Sequence, residues 1–125
     1  SLQEAKLKNP LALAYLGDTV WDLLIRQRLL AGGLPAGALH RRAILLANAG
    51  AQAEAAGRLE PVLSPEEADV MRRGQNAHAH HRAPKNQDPV NYSRATGLEA
   101  LMGYLYLTGQ TGRIAELFDI GVPIL

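Results

Sequence analysis

Cysteine is absent from this chain. That excludes disulfides and thiolate metal sites and fits a reducing compartment. No run of about 18 uncharged apolar residues occurs, so no membrane span is expected. The first eight residues, SLQEAKLK, lack the apolar stretch of a signal peptide. No segment alternates apolar and polar residues as a half-buried strand would, and there is no internal repeat or low-complexity tail. Net charge is only +1, which by itself names no partner. These absences leave an all-α chain without a membrane segment as the expectation.

What is present is enough for one domain spanning residues 1–125, with 47% apolar and 20% charged residues. About five helices are expected. Asn9 is an N-cap and Pro10 a first helical residue for a helix to about Leu30. This helix is apolar on nearly every side and therefore reads as buried. AGGLPAG (31–37) is a turn. A second helix is expected from about Ala38 to Leu59, with a stripe of small and apolar residues from Leu39 to Ala51. Ser64, Pro65 and Glu67 form a capping-box start for a third, running to Arg73 or a little beyond. Residues 75–91 read as a long loop containing Pro84 and Pro89. A fourth helix, about Tyr92 to Thr108, is again apolar all round, and a short fifth covers about Arg113 to Asp119.

Each of the two apolar helices carries one carboxylate near one glycine: Asp18 beside Gly17, and Glu99 one turn before Gly103. A glycine costs a helix interior roughly 1 kcal/mol, and a carboxylate is rarely buried without a partner. If the glycines mark a close crossing, the two acids meet there. Such a pair repels strongly unless a proton or a divalent cation is shared. Oxygen ligands select Mg²⁺ or Mn²⁺ over zinc. The plainer reading gives each acid a nearby base or a backbone group to cap. For Asp22 the plain reading is an ion pair with Arg26, one turn on; the alternative is a supporting contact behind the metal.

Charge is concentrated between residues 72 and 94. Arg72, Arg73, Arg82, Lys85 and Arg94 face a single acid, Asp88, leaving +4 there and −3 elsewhere. The plain reading is a solvated surface. The sharper one is contact with an RNA backbone, and the lack of aromatics before Tyr92 favours duplex over single-stranded RNA. His78, His80 and His81 are irregularly spaced and have no cysteine nearby, which argues against zinc.

Leu16-Gly17-Asp18-Thr19-Val20 resembles the signature of the ribonuclease III catalytic domain. Leu98-Glu99-Ala100-Leu101-Met102-Gly103, some eighty residues later, resembles its second acidic motif. Arg72-Arg73-Gly74-x-Asn76, Pro84-Lys85-Asn86 and the run from Asn9 to Tyr15 look like the mini-ribonuclease III branch, which lacks a double-stranded-RNA-binding domain. The resemblance covers essentially the whole chain. It implies an all-α endonuclease fold, Mg²⁺ (with Mn²⁺ as alternative), a homodimer and a double-stranded RNA substrate. It further implies maturation, in the bacterial cytoplasm, of the large-subunit (23S) ribosomal RNA precursor, whose bound ribosomal protein would be a further partner. Asp18 and Glu99 match the catalytic, metal-holding acids. Arg72, Arg73, Asn76, Arg82, Lys85 and Asn86 are the RNA-contact candidates.

Full-length members have further acids where this chain has Leu11, Ala14 and Thr96, so the number of metals per site stays open. The alternative is an inactive ribonuclease III-like domain that binds structured RNA or the ribosome. A helical DNA-binding module is a weaker third reading, because no helix resembles a short polar recognition helix. Leu13, Leu16, Val20, Trp21 and Leu24 are candidates for the core or a dimer interface.

Overall fold

The computed structural model describes residues 4–5, 8–77 and 84–123. Arg82 and the three loop histidines lie outside them. Helix α1 (Pro10–Ala31) starts where expected: the Asn9 side chain accepts from Leu11 N at 2.8 Å, and Pro10 follows as the first residue. Helices α2 (Ala36–Ala47) and α3 (Ala49–Leu59) replace the single expected helix from 38 to 59. Asn48 makes the break. Its backbone is extended, its Oδ1 accepts from Ala51 N at 2.9 Å, and its Nδ2 donates to Leu45 O at 3.1 Å. One side chain thereby closes α2 and caps α3.

A 3₁₀ turn, Glu60–Val62, leads to α4 (Pro65–Asn76), which carries the full capping box between Ser64 and Glu67. Helix α5 (Pro89–Leu107) begins three residues earlier than expected. Pro89 occupies its first position, and Asp88 accepts from Val90 N and Asn91 N, so a residue read as a loop breaker is a helix starter. Helix α6 (Thr111–Gly121) closes the described order. The described residues thus hold six helices of three turns or more, one beyond the expected five, and no strand. None of these helices is long and apolar enough to cross a membrane.

Helix α5 sits at the centre, against α1, α3, α4 and α6. Its Leu98, Ala100, Leu101, Met102 and Leu105 are fully buried. Helix α1 is less enclosed than its sequence implied. Leu13, Val20, Trp21, Ile25 and Leu29 enter the core, Leu16 and Leu24 are half-buried, and Tyr15 (85%), Leu23 (62%) and Leu30 (69%) are exposed. Trp21 meets Phe118 of α6 edge-on, with ring centroids 4.9 Å apart.

Arg113 of α6 is tied to the start of α4. Its Nε and Nη2 donate to both carboxylate oxygens of buried Glu67, each at 2.8 Å, and Nη2 also donates to Val62 O. The Arg113 guanidinium holds the Glu67 carboxyl below its usual 4.5 against the opposing effect of burial. Arg113→Ala would leave that carboxylate buried without its partner. Urea unfolding at neutral pH should show a loss of about 2–3 kcal/mol. A group with a lowered folded-state pKa stabilises above its unfolded value, so the deficit should fade as pH falls below 4.5.

Candidate active site

Helices α1 and α5 cross with their backbones in contact. A Cβ added to Gly17 would lie 1.6 Å from Glu99 O, and one added to Gly103 would lie 2.0 Å from Leu13 O. Only glycine permits so close an approach at either point. A second crossing joins α4 to α5, where a Cβ on Gly74 would lie 2.9 Å from Gly97 Cα.

The first crossing brings the two acids together. Asp18 follows Gly17 and is solvent-exposed; Glu99, half-buried, lies beside it. Burial, and after it the hydrogen bond and charge of Asp18, push the Glu99 carboxyl from 4.5 up to about 8. At neutral pH the pair therefore keeps a proton on Glu99. A third group reaches the same place. Gln52, on α3, is only 4% exposed, and its amide near Glu99 opposes that rise. The sequence reading passed over Gln52. The signal available was a lone amide in the alanine-rich AGAQAEAAGRL, at a position where the helix turns inward.

No group of three or more acids, histidines or cysteines able to hold a metal ion occurs among the described residues. The positions of the further acids of full-length ribonuclease III enzymes are filled otherwise. Leu11 is half-buried and Ala14 buried, while Thr96 Oγ1 donates to Tyr92 O at 2.9 Å. Asp22 pairs with Arg26 at 3.0 Å, the plainer of its two readings. Two carboxylates form an oxygen-donor pair suited to a hard divalent cation. The pair lies at the surface rather than in a closed cavity, so a bulky polymer has access to Asp18.

The basic residues are more dispersed. Arg72 is ion-paired with Asp69, and Arg94 with Glu60 at 2.9 Å. Arg73 is half-buried and has interactions of its own. Asn76 is exposed at the last position of α4. Lys85 and Asn86 are exposed in the turn before α5, with Asn86 at φ 71°. From the start of α5 to Glu99 is ten residues, about 15 Å along the helix.

The Ribonuclease III domain family matches residues 11–110, a span that includes both motifs. The chain is 49% identical over 117 residues to mini-ribonuclease 3 of Symbiobacterium thermophilum, covering 93% of this chain and 89% of that protein. This chain belongs to the mini-ribonuclease III family. It therefore carries a ribonuclease III-like endoribonuclease domain. Mini-ribonuclease 3 of Brevibacillus brevis is 44% identical over 124 residues, covering 98% and 92% of the two chains. A crystal structure of a Fusobacterium nucleatum protein superposes with a TM-score of 0.83 at 27% identity, covering 94% of this chain and 93% of that one.

Proposed function

We propose that this mini-ribonuclease III is a Mg²⁺-dependent endonuclease of double-stranded RNA. It works as a homodimer, matures the large-subunit ribosomal RNA precursor, and leaves 5′-phosphate and 3′-hydroxyl ends. The observation that carries the reading is the meeting of Asp18 and Glu99 at a glycine crossing, where Glu99 is forced to keep a proton. Two rigid helices hold the carboxylates together at a cost the fold has no structural need to bear. Asp18 and Glu99 would hold the cation in place of that proton. Held there, Mg²⁺ would supply an activated water and neutralise charge on the phosphodiester.

The remaining features fit a duplex substrate. The acids sit on an open face, where Asp18 is exposed to whatever lies across it. Lys85, Asn86 and Asn76 are exposed groups suited to phosphates and 2′-hydroxyls. The ribosomal precursor as target rests on the family resemblance.

Incubating the protein with a long RNA duplex tests the reading. Cleavage in Mg²⁺ and none in EDTA is the expected result. A duplex bound and left intact in both would favour the non-catalytic RNA-binding alternative. The dimer has its own support in the exposed Tyr15, Leu23 and Leu30 of α1 and Ile44 and Leu45 of α2. Apolar groups this large normally find a partner surface when they are contiguous. Light scattering at micromolar concentration should report twice the 13.5 kDa chain mass; a monomer mass would overturn the dimer.

A further inference from the structure

An open cleft of about 490 Å³ separates the joint of α2 and α3 from the turn that leads into α5. The wall at the joint is made of small residues, Ala47, Ala49 and Gly50, with Asn48, whose amide is spent on the two helices it separates. A Cβ on Gly50 would lie 3.8 Å from Asn91 Nδ2, so a long side chain there would fill the cleft. The opposite wall carries Asn86, Gln87 and Asn91. Beside them, Asp88 is spent on capping α5. The side-chain amides of Asn86, Gln87 and Asn91 have no hydrogen-bond partner among the described residues. Helix α5 runs from this cleft to the acid pair: Asn91 and Glu99 are eight residues, about 12 Å, apart along it.

We propose that this cleft binds a single unpaired adenine extruded from the stem of a double-stranded RNA, and so sets the cut at a fixed distance from a bulge. The proposal rests on the double-stranded-RNA reading above and deepens it. Unspent amides with no cation among them suit a nucleobase edge better than a phosphate. Each presents a donor and an acceptor in one plane, and Asn or Gln pairs in this way with N6 and N7 of adenine. In an intact A-form duplex that edge lies in a deep, narrow major groove that side chains do not read. A base splayed out of the helix offers it freely. Extrusion costs least for a base that has no partner, so the cleft favours a bulge without rejecting perfect duplex. The size agrees: sites for small ligands hold about 300–1,000 Å³, and the small residues of the joint keep this one open.

The test is binding by the full chain, in EDTA at fixed salt, of a perfect RNA duplex and of the same duplex with one bulged adenosine, 7-deazaadenosine or uridine. The wild type should hold the bulged adenosine about tenfold more tightly than the perfect duplex. The 7-deaza base, which lacks N7, and uridine should lose most of that preference. Asn91→Ala removes an amide, and Gly50→Leu fills the cleft with all three amides kept. Each should erase the preference and leave the affinity for perfect duplex unchanged. Asn91→Ala carries the test if leucine at position 50 disturbs the Asn48 cap. In Mg²⁺ the mapped cut should move with the bulge at constant spacing. Equal tightening by every bulge would overturn the proposal, since a bend in the duplex would then account for it. So would equal affinity for all four duplexes, or an Asn91→Ala protein that loses bulged and perfect duplex alike; the duplex reading would stand in either case. A wild-type protein that binds no duplex would overturn that reading, and this proposal with it.

Discussion

Asp18→Ala should reduce single-turnover cleavage of duplex RNA by about a thousandfold or more, and Glu99→Ala should do the same. Positioning a cation on a phosphodiester is worth several kcal/mol of barrier, and each 1.36 kcal/mol is tenfold in rate. Neither variant should lose its fold. Burying Glu99 beside Asp18 costs the metal-free protein stability at neutral pH, so removing one acid should leave the melting temperature unchanged or higher. Mg²⁺ should raise the melting temperature of the wild type and much less that of the variants. Wild-type cleavage in either variant would sink the assignment of these two acids.

The same pair sets a pH dependence with a definite sign. Glu99 has a folded-state value of about 8 against an ordinary 4.5, so between those limits the folded protein binds a proton that the unfolded chain releases. Metal-free stability should therefore fall as pH rises through this window. Glu99→Gln should remove this slope. Asp18→Ala should make it shallower, because the hydrogen bond and the charge go while the burial of Glu99 remains. Urea unfolding in EDTA across the window checks both.

Gly17→Ala should cost more than about 4 kcal/mol, the range reserved for steric failure in a core. The new Cβ would lie 1.6 Å from Glu99 O and 2.8 Å from Gly103 N. Both are backbone atoms, so no side chain can swing aside, and α1 and α5 would have to separate along their shared core. Native domains hold only about 5–15 kcal/mol in reserve. Gly103→Ala should fare as badly, its Cβ meeting Leu13 O at 2.0 Å. Gly112→Ala is the control. Nothing lies within 4 Å of a Cβ there, and alanine is the better helix former, so stability should hold or rise by up to about 1 kcal/mol. Urea denaturation of the three variants decides it; a well-folded Gly17→Ala protein would mean that the two helices do not cross this closely.

Helix starts were the most legible part of the sequence, because capping chemistry is local. Asn9-Pro10 and Ser64-Pro65-x-Glu67 each satisfy orphan N–H groups with side chains a few residues away, and both starts lie where that chemistry puts them. Asn48 carried the same kind of signal, yet it sat inside a continuous run of helix formers. Propensity favours continuing through it; the break is settled by hydrogen bonds that close one helix and open the next. The acids beside glycines were visible as a pattern, because the penalty of each is set by its own chemistry.

Which surfaces those residues face is a different matter. That Asp18 and Glu99 meet depends on the angle and depth at which α1 meets α5, and glycines 86 residues apart set that depth together. The apolar circumference of α1 reads as wholly buried until α5, α2 and α6 are placed; they cover Trp21 and Ile25 and leave Tyr15 and Leu23 in solvent. Gln52 resembles any helical glutamine until α3 is laid against α5 and buries it. Local chemistry in the sequence thus determined where helices begin and which residues are out of place. Only the packing of helices distant in sequence decided which of those residues meet, since a contact between side chains some eighty positions apart follows from the geometry of the whole core.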